Sequence, residues 1–331
     1  MHLRIGLMLI ACIAGRVADA AEGKAKAKVA KPVPLMQAIP LPEEQISFQR
    51  DGVEIARYYY GHDLNRPFIY PLIGPSGRSL TRMGHPRDPE THSHHNSVWI
   101  SHRDVNGLNF WEDRGKVRIV HKRVLSFEDG PEEASVRTEN AWVNESGKTV
   151  LKELRRVAVR EVSEGGGARR SGRPTGEWML VIDLEMTAAE AVTFGKTPFG
   201  LIGVRMAKTI GVNDGGGTIR NSEGGIDEVG CFWKPAKWVD YSGPITAKAE
   251  EGITLMDHPG NPGHPAVFHV RNDGWMGACL TEKEARTVQP NEVLRLRYGL
   301  YVHAGVPDVK AIDQVWESFR KLELAPALKG K

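Results

Sequence analysis

The 331-residue chain has three cysteines, too few for a disulfide-dense scaffold. Its 36 glycines fall far short of the one in three that collagen needs, and 40% hydrophobic with 26% charged residues is not the composition of a disordered chain. No apolar run beyond the first twenty residues approaches the roughly 20 needed to cross a bilayer, which excludes a multi-span membrane protein. Charge of one sign is also missing. The formal +3 comes from residues 1–31, where six basic groups meet two acids; the remaining residues hold 38 bases against 39 acids. A near-neutral body gives no electrostatic basis for a polyanionic partner, so nucleic acid is not expected.

The amino terminus is of another kind. Arg4 precedes an apolar stretch from Ile5 to Gly15, and Ala18-Asp19-Ala20 is a small-x-small cleavage pattern. Residues 1–20 therefore read as a secretory signal, with export to the periplasm or the extracellular space. Leu9-Ile10-Ala11-Cys12 also fits a lipoprotein box, with a lipid anchor on Cys12 as the alternative. Residues 21–45 alternate Lys with Ala and then place Pro at 32, 34, 40 and 42, the composition of an extended linker. The exported chain keeps Cys231 and Cys279, as one disulfide or two buried thiols.

From residue 46 to 325 the chain reads as a single domain of strands and turns. Asp51-Gly52 is a tight-hairpin pair. Alternating or β-branched runs recur at 97–102, 116–127, 134–143, 149–162, 177–186, 253–256, 266–270, 276–280 and 293–302. Many strands without intervening helical patterns predict an all-β protein, a large antiparallel sandwich or barrel. One helix is expected at 308–322, where Val309, Ile312, Val315, Trp316, Phe319 and Leu322 share a face. The Gly-rich basic segment 164–176 reads as a solvated loop.

Chemistry concentrates in two places. Five of the twelve histidines lie between His85 and His102, followed by Asp104 and Asn106. On an extended chain His92 and His94 would share a face, joined by His102 if the strand reaches it, while His95 would point the other way. Three imidazoles on one surface suit a metal, and one of them suits a general acid opposite a carboxylate. The second place is Asp257-His258-Pro259-Gly260-Asn261-Pro262-Gly263-His264, a proline-stiffened loop after an apolar strand. Glu139, Glu153, Glu185 and Glu223 occur in or near strands, and any that face inward need partners such as Arg155 or Arg205. Trp99, Trp111, Trp142, Trp233, Trp238 and Trp275 offer aromatic platforms.

Residues 66–82 (R-P-F-I-Y-P-L-I-G-P-S-G-R-S-L-T-R), 92–111, 238–244 (W-V-D-Y-S-G-P) and 252–265, taken in order, resemble the secreted PmoA-like family, a domain of unknown function. That family commonly shows H-P-H-H-R-G-L-W where this chain has His92-Ser93-His94-His95-Asn96-Ser97-Val98-Trp99. The resemblance implies a galactose-mutarotase-like supersandwich, a carbohydrate-active architecture. The methane-oxygenase name attached to the family fits a chain without spanning segments poorly.

Three functions follow as expectations. The first is a sugar epimerase, lyase or hydrolase, with His94 or His95 as proton donor, Asp257 or Glu223 opposite, and His102, Asp104, Asn106, His258, Arg205 and Trp238 on the substrate; it needs no cofactor. The second is a metal-dependent oxidoreductase holding copper, iron or zinc on His92, His94 and His102, or on His258 and His264. The third is a non-catalytic module binding oligosaccharides. The first requires the histidine cluster and the Asp257 loop to meet in one cavity.

Overall fold

The computed structural model describes residues 32–88, 90–162 and 176–323. The expected signal segment, Cys12, the start of the linker and nearly all of the basic loop lie outside them. Alternation drives the strands. In Thr149–Glu161 the side chains at 151, 153, 155, 157 and 159 turn inward and Lys152 turns to solvent.

Two antiparallel sheets form the body. The first runs edge to edge through Met36–Leu41, Gln45–Arg50, Val53–Tyr59, Phe68–Leu72, Val98–His102, Thr197–Arg205, Trp275–Thr281, Val267–Arg271 and Lys234–Pro235. The second runs through Thr218–Asn221, Trp238–Thr246, Ala249–Asp257, Leu294–Ala304, Trp178–Thr187, Thr149–Glu161, Glu133–Val143 and Arg118–Glu128. Val192–Phe194 and Arg286–Val288 pair separately. Ile46, Phe48, Ile100 and Ile202 of the first sheet meet Val157, Leu180, Ile253 and Leu300 of the second in one buried core. Each such side chain contributes about 1.5–3 kcal/mol of burial. The all-β sandwich predicted from the sequence is the fold observed.

The linker reading of 21–45 is corrected at its end. Met36–Leu41 is an edge strand paired with Gln45–Arg50, and Met36 and Ala38 are buried. Its prolines did not prevent this, because an edge strand needs amide donors on one side only.

The single long helix is Val309–Phe319, opened by Asp308, whose Oδ1 accepts the Ala311 amide at 2.7 Å. Ile312, Trp316 and Phe319 press on Met179, Val181, Trp238 and Met256, covering the outer face of the second sheet. Val309, expected on that face, is 37% exposed. No helix among the described residues is long and apolar enough to cross a membrane. Cys231 and Cys279 are both buried free thiols, so the disulfide alternative falls away.

Glu153, on the inward face, finds the partners its burial demands. It accepts from Arg155 Nε at 2.6 Å, Asn140 Nδ2 at 2.9 Å and Trp142 Nε1 at 2.8 Å.

Candidate active site

Strand Val98–His102 divides its side chains between two faces. Val98 and Ile100 enter the core, whereas Trp99 joins Phe68, Trp111 and Trp275 in a separate aromatic cluster. The strand beside it makes room. A Cβ on Gly203 would lie 2.7 Å from the Trp275 ring and 2.8 Å from that of Trp99, so only glycine lets both indoles rest on the backbone. On this floor lies His95, stacked on Trp275 at 5.3 Å and 15° and on Trp99 at 5.4 Å and 27°.

A cleft of about 470 Å³ opens over the floor. Trp111, Trp275 and Phe199 face it, as do five imidazoles: His85, His92, His94, His95 and His269. The histidine segment is not extended. Residues 91–94 turn, and the His95 amide donates to the His92 carbonyl at 3.1 Å. The turn, rather than strand alternation, gathers the rings. Centroids lie 4.5 Å apart for His94 and His95, 4.9 Å for His92 and His95, and 4.7 Å for His85 and His92.

Two features hold this turn. Buried Arg66 donates to Asn96 Oδ1 at 2.8 Å, Asp113 Oδ1 at 2.7 Å and the Trp111 carbonyl at 3.0 Å, tying 94–96 to 110–113. Ser97 sits at φ +63°, the left-handed region that side chains other than glycine's adopt rarely. Its hydroxyl donates to Thr81 Oγ1 at 2.7 Å, which helps hold that conformation.

The imidazoles are not equivalent. His85 Nδ1 accepts the amides of Arg87 and Asp88, each at 3.1 Å, and Nε2 donates to Asp273 Oδ2 at 2.9 Å. Both its nitrogens are committed to structure. Arg205 Nη1 donates to the other Asp273 oxygen at 2.9 Å. His92 differs. Its Nδ1 lies 2.9 Å from Asp88 Oδ2; the carboxylate only accepts, so Nδ1 carries a hydrogen, and the neutral form of the ring has its lone pair on Nε2. Hydrogen bonds from the Thr91 hydroxyl and amide pull the Asp88 carboxyl down to about 2, keeping it ionised at neutral pH.

Burial governs the others. It lowers His94 to about 4, aided by the nearby Arg66 charge, and lowers His269 to about 4, aided by Arg271. His95 is driven lower still by burial, with its His94 and Arg205 neighbours adding to the effect. All three rings are uncharged at neutral pH. His94 and His95, expected as proton donors, therefore have no imidazolium to give and serve as neutral hydrogen-bonding groups.

The remaining expected residues divide. Arg205 lines the cleft. His102 turns into the core instead, with Nε2 2.8 Å from Thr281 Oγ1 and its ring edge-on to Phe194. The face shared by His92, His94 and His102 does not form, because the first two stand in a turn and the third alternates inward. Among the described residues no group of three or more His, Cys, Asp or Glu is arranged to hold a metal ion.

Asp257 does not meet the histidine cluster in the cleft. It ends strand Ala249–Asp257 of the second sheet and accepts from Asn261 Nδ2 and His264 Nδ1, both at 2.7 Å, and from the Ala266 amide at 2.9 Å. It is 1% exposed and fully occupied in shaping its loop. His258 lies edge-on to Phe319 of the C-terminal helix, and His264 stacks on Trp316. Trp238 is buried beneath the same helix, its indole donating to Asp313 at 2.8 Å. Glu223 is exposed beside Ser222. Asp104 accepts the Gly107 amide at 2.8 Å and lines a smaller depression next to the cleft; Asn106 accepts the Thr193 amide at 2.7 Å.

Asp88 and Asp273 were not singled out by the sequence reading. Asp88 had a usable signal, four residues before His92. Asp273 stands in Asn272-Asp273-Gly274, which has the look of an ordinary hairpin turn.

A model described as a family of unknown function (DUF6807) matches residues 45–317, and the chain belongs to that family. Comparison with curated proteins gives no match. Among solved structures, the galactose 1-epimerase of Lactobacillus acidophilus NCFM is similar with a TM-score of 0.38 and 9% identity, over 83% of this chain and 100% of that one.

Proposed function

We propose that the cleft binds a saccharide and that His92 removes a proton from a carbon whose neighbouring carbonyl or carboxyl group takes up the electron pair, in an epimerase or lyase working in the exported space. The observation that carries this reading is the Asp88–His92 pair, at 2.9 Å, beside an aromatic floor. A carboxylate on Nδ1 orients the ring and stabilises the imidazolium formed when Nε2 takes a proton. Trp111 and Phe199 offer flat apolar faces to the C–H side of a sugar ring, and neutral His94 and His95 offer hydrogen bonds to its hydroxyls. In an epimerase, water delivers a proton to the opposite face of the carbon while His92 passes its own to solvent. In a lyase, a double bond forms there as the leaving oxygen departs with the proton His92 has taken.

Hydrolysis by paired carboxylates is less well supported. It needs two carboxyl groups free to act as acid and as base or nucleophile. Of the two that line the cleft, Asp273 is engaged by Arg205 and His85, which leaves Glu112 without a second carboxylate to work with. The motifs at 66–82 and 92–111, which carry half of the PmoA-like resemblance, supply His92, His94, His95 and Trp111 to the cleft and Arg66 to the brace behind it. Export rests on the signal-like residues 1–20.

The test is a panel of oligosaccharides, with binding followed by tryptophan fluorescence and conversion by NMR. Wild-type protein should bind and convert at least one of them, and His92→Ala should keep the binding while losing conversion. Binding with no conversion by the wild type would contradict the enzyme reading and leave a carbohydrate-binding module.

A further inference from the structure

Charge is unevenly distributed around the cleft. Its lining holds four arginines (103, 114, 205 and 271) against two carboxylates, Glu112 and Asp273. The imidazoles between them carry no negative charge to offset the surplus of two positive charges. At the mouth, Arg103 and Arg114 share the single carboxylate of Glu112, at 3.7 and 3.6 Å. Both distances exceed that of a good hydrogen bond, so each planar fork keeps donors to offer. Their side chains are 47% and 73% exposed, open to a ligand. Arg103 is also held 5.1 Å over the Phe199 ring, which keeps its charge beside the aromatic floor.

Deeper in the wall, Arg205 is fully buried. Only its Nη1 has a partner, Asp273, while Nε and Nη2 have none. Arg271 lies on the rim, 3.2 Å from Glu228, a residue outside the lining. Low-dielectric walls focus such a surplus into the cleft. Burial is the largest cause of the lowering of His85, His95, His94 and His269, and Arg205, Arg114 and Arg271 add to it.

We infer that the ligand of this cleft is an acidic saccharide, whose carboxylate or sulfate ester is received by Arg103 and Arg114 while a sugar ring lies on the aromatic floor. The inference rests on the saccharide reading above and adds the charge of the substrate. Carboxylate and sulfate ester each present a pair of anionic acceptor oxygens that an arginine fork can meet bidentately.

The test is calorimetric titration of the full chain with three sets of oligosaccharides matched in length: neutral, uronate-bearing and sulfated. At low salt one acidic set should bind at least about tenfold more tightly than the neutral set, equivalent to about 1.4 kcal/mol. The preference should shrink as ionic strength rises. Whichever acidic set leads identifies the anionic group. Arg103→Gln combined with Arg114→Gln should reduce the preference to less than about threefold while neutral oligosaccharides still bind, a result that a loss of folding would not give. Equal binding of neutral and acidic sets would overturn this inference and leave the saccharide reading standing. Binding of none would overturn both.

Discussion

Nδ1 of His92 lies 2.9 Å from Oδ2 of Asp88, four residues earlier in the chain. His92 stands in the turn that gathers His94 and His95, and Asp88 lies just before it, so the pair is local in sequence. A carboxylate held ionised by Thr91 and an imidazole with a free Nε2 form a compact proton-transfer unit.

The floor should be as sensitive as the pair. Gly203→Val introduces a side chain where even a Cβ lies 2.7–2.8 Å from two indoles. Overpacking of this kind costs about 1–3 kcal/mol. The expected result is a changed near-ultraviolet tryptophan spectrum and lost saccharide binding in a chain that still folds.

Glu153 tests the buried polar pair. Removing it in Glu153→Ala leaves Arg155 charged in the core, with Asn140 and Trp142 also unpaired. Breaking a buried pair from one side costs about 3–5 kcal/mol. Urea unfolding should show a loss of that size.

Much of the fold could be read from the sequence. The hairpin at Asp51-Gly52 has φ of +52° and +75°, as a two-residue turn of that composition requires. The helix and the long strands at 149–161 and 294–304 also declared themselves by period. Strand Thr197–Arg205 did not. Its Gly200 and Gly203 and its proline resemble a loop, yet Gly203 is there because the indoles need the space. The histidine cluster was visible in the sequence, but its geometry was not, since a turn and a strand place His102 on different faces. The Asp257 loop looked equally chemical. Only the helix over it and its saturated hydrogen bonds distinguish a structural carboxylate from a working one.

Acid should destabilise the protein in a defined window. His94, His102 and His269 are lowered by burial to about 4 from an ordinary 6.5. Above about 6.5 all three are neutral in both states and contribute no pH dependence. As pH falls from about 6.5 toward 4 the unfolded chain takes up protons that the folded chain refuses, so stability falls by about 2 kcal/mol per group at pH 5. Unfolding free energies at pH 7 and pH 5 should differ by several kcal/mol, and His94→Gln should reduce the difference by about one group's share.

The central claim is that Asp88 and His92 move a carbon-bound proton, and solvent exchange measures it most directly. A saccharide that binds the cleft is incubated in D₂O with wild type, Asp88→Asn or His92→Ala, and deuterium at carbon is followed by NMR. The wild type should incorporate deuterium into substrate or product, His92→Ala should slow this by about 10²–10⁴-fold, and Asp88→Asn should slow it while binding persists. Incorporation unchanged in His92→Ala, with binding intact, would contradict the account.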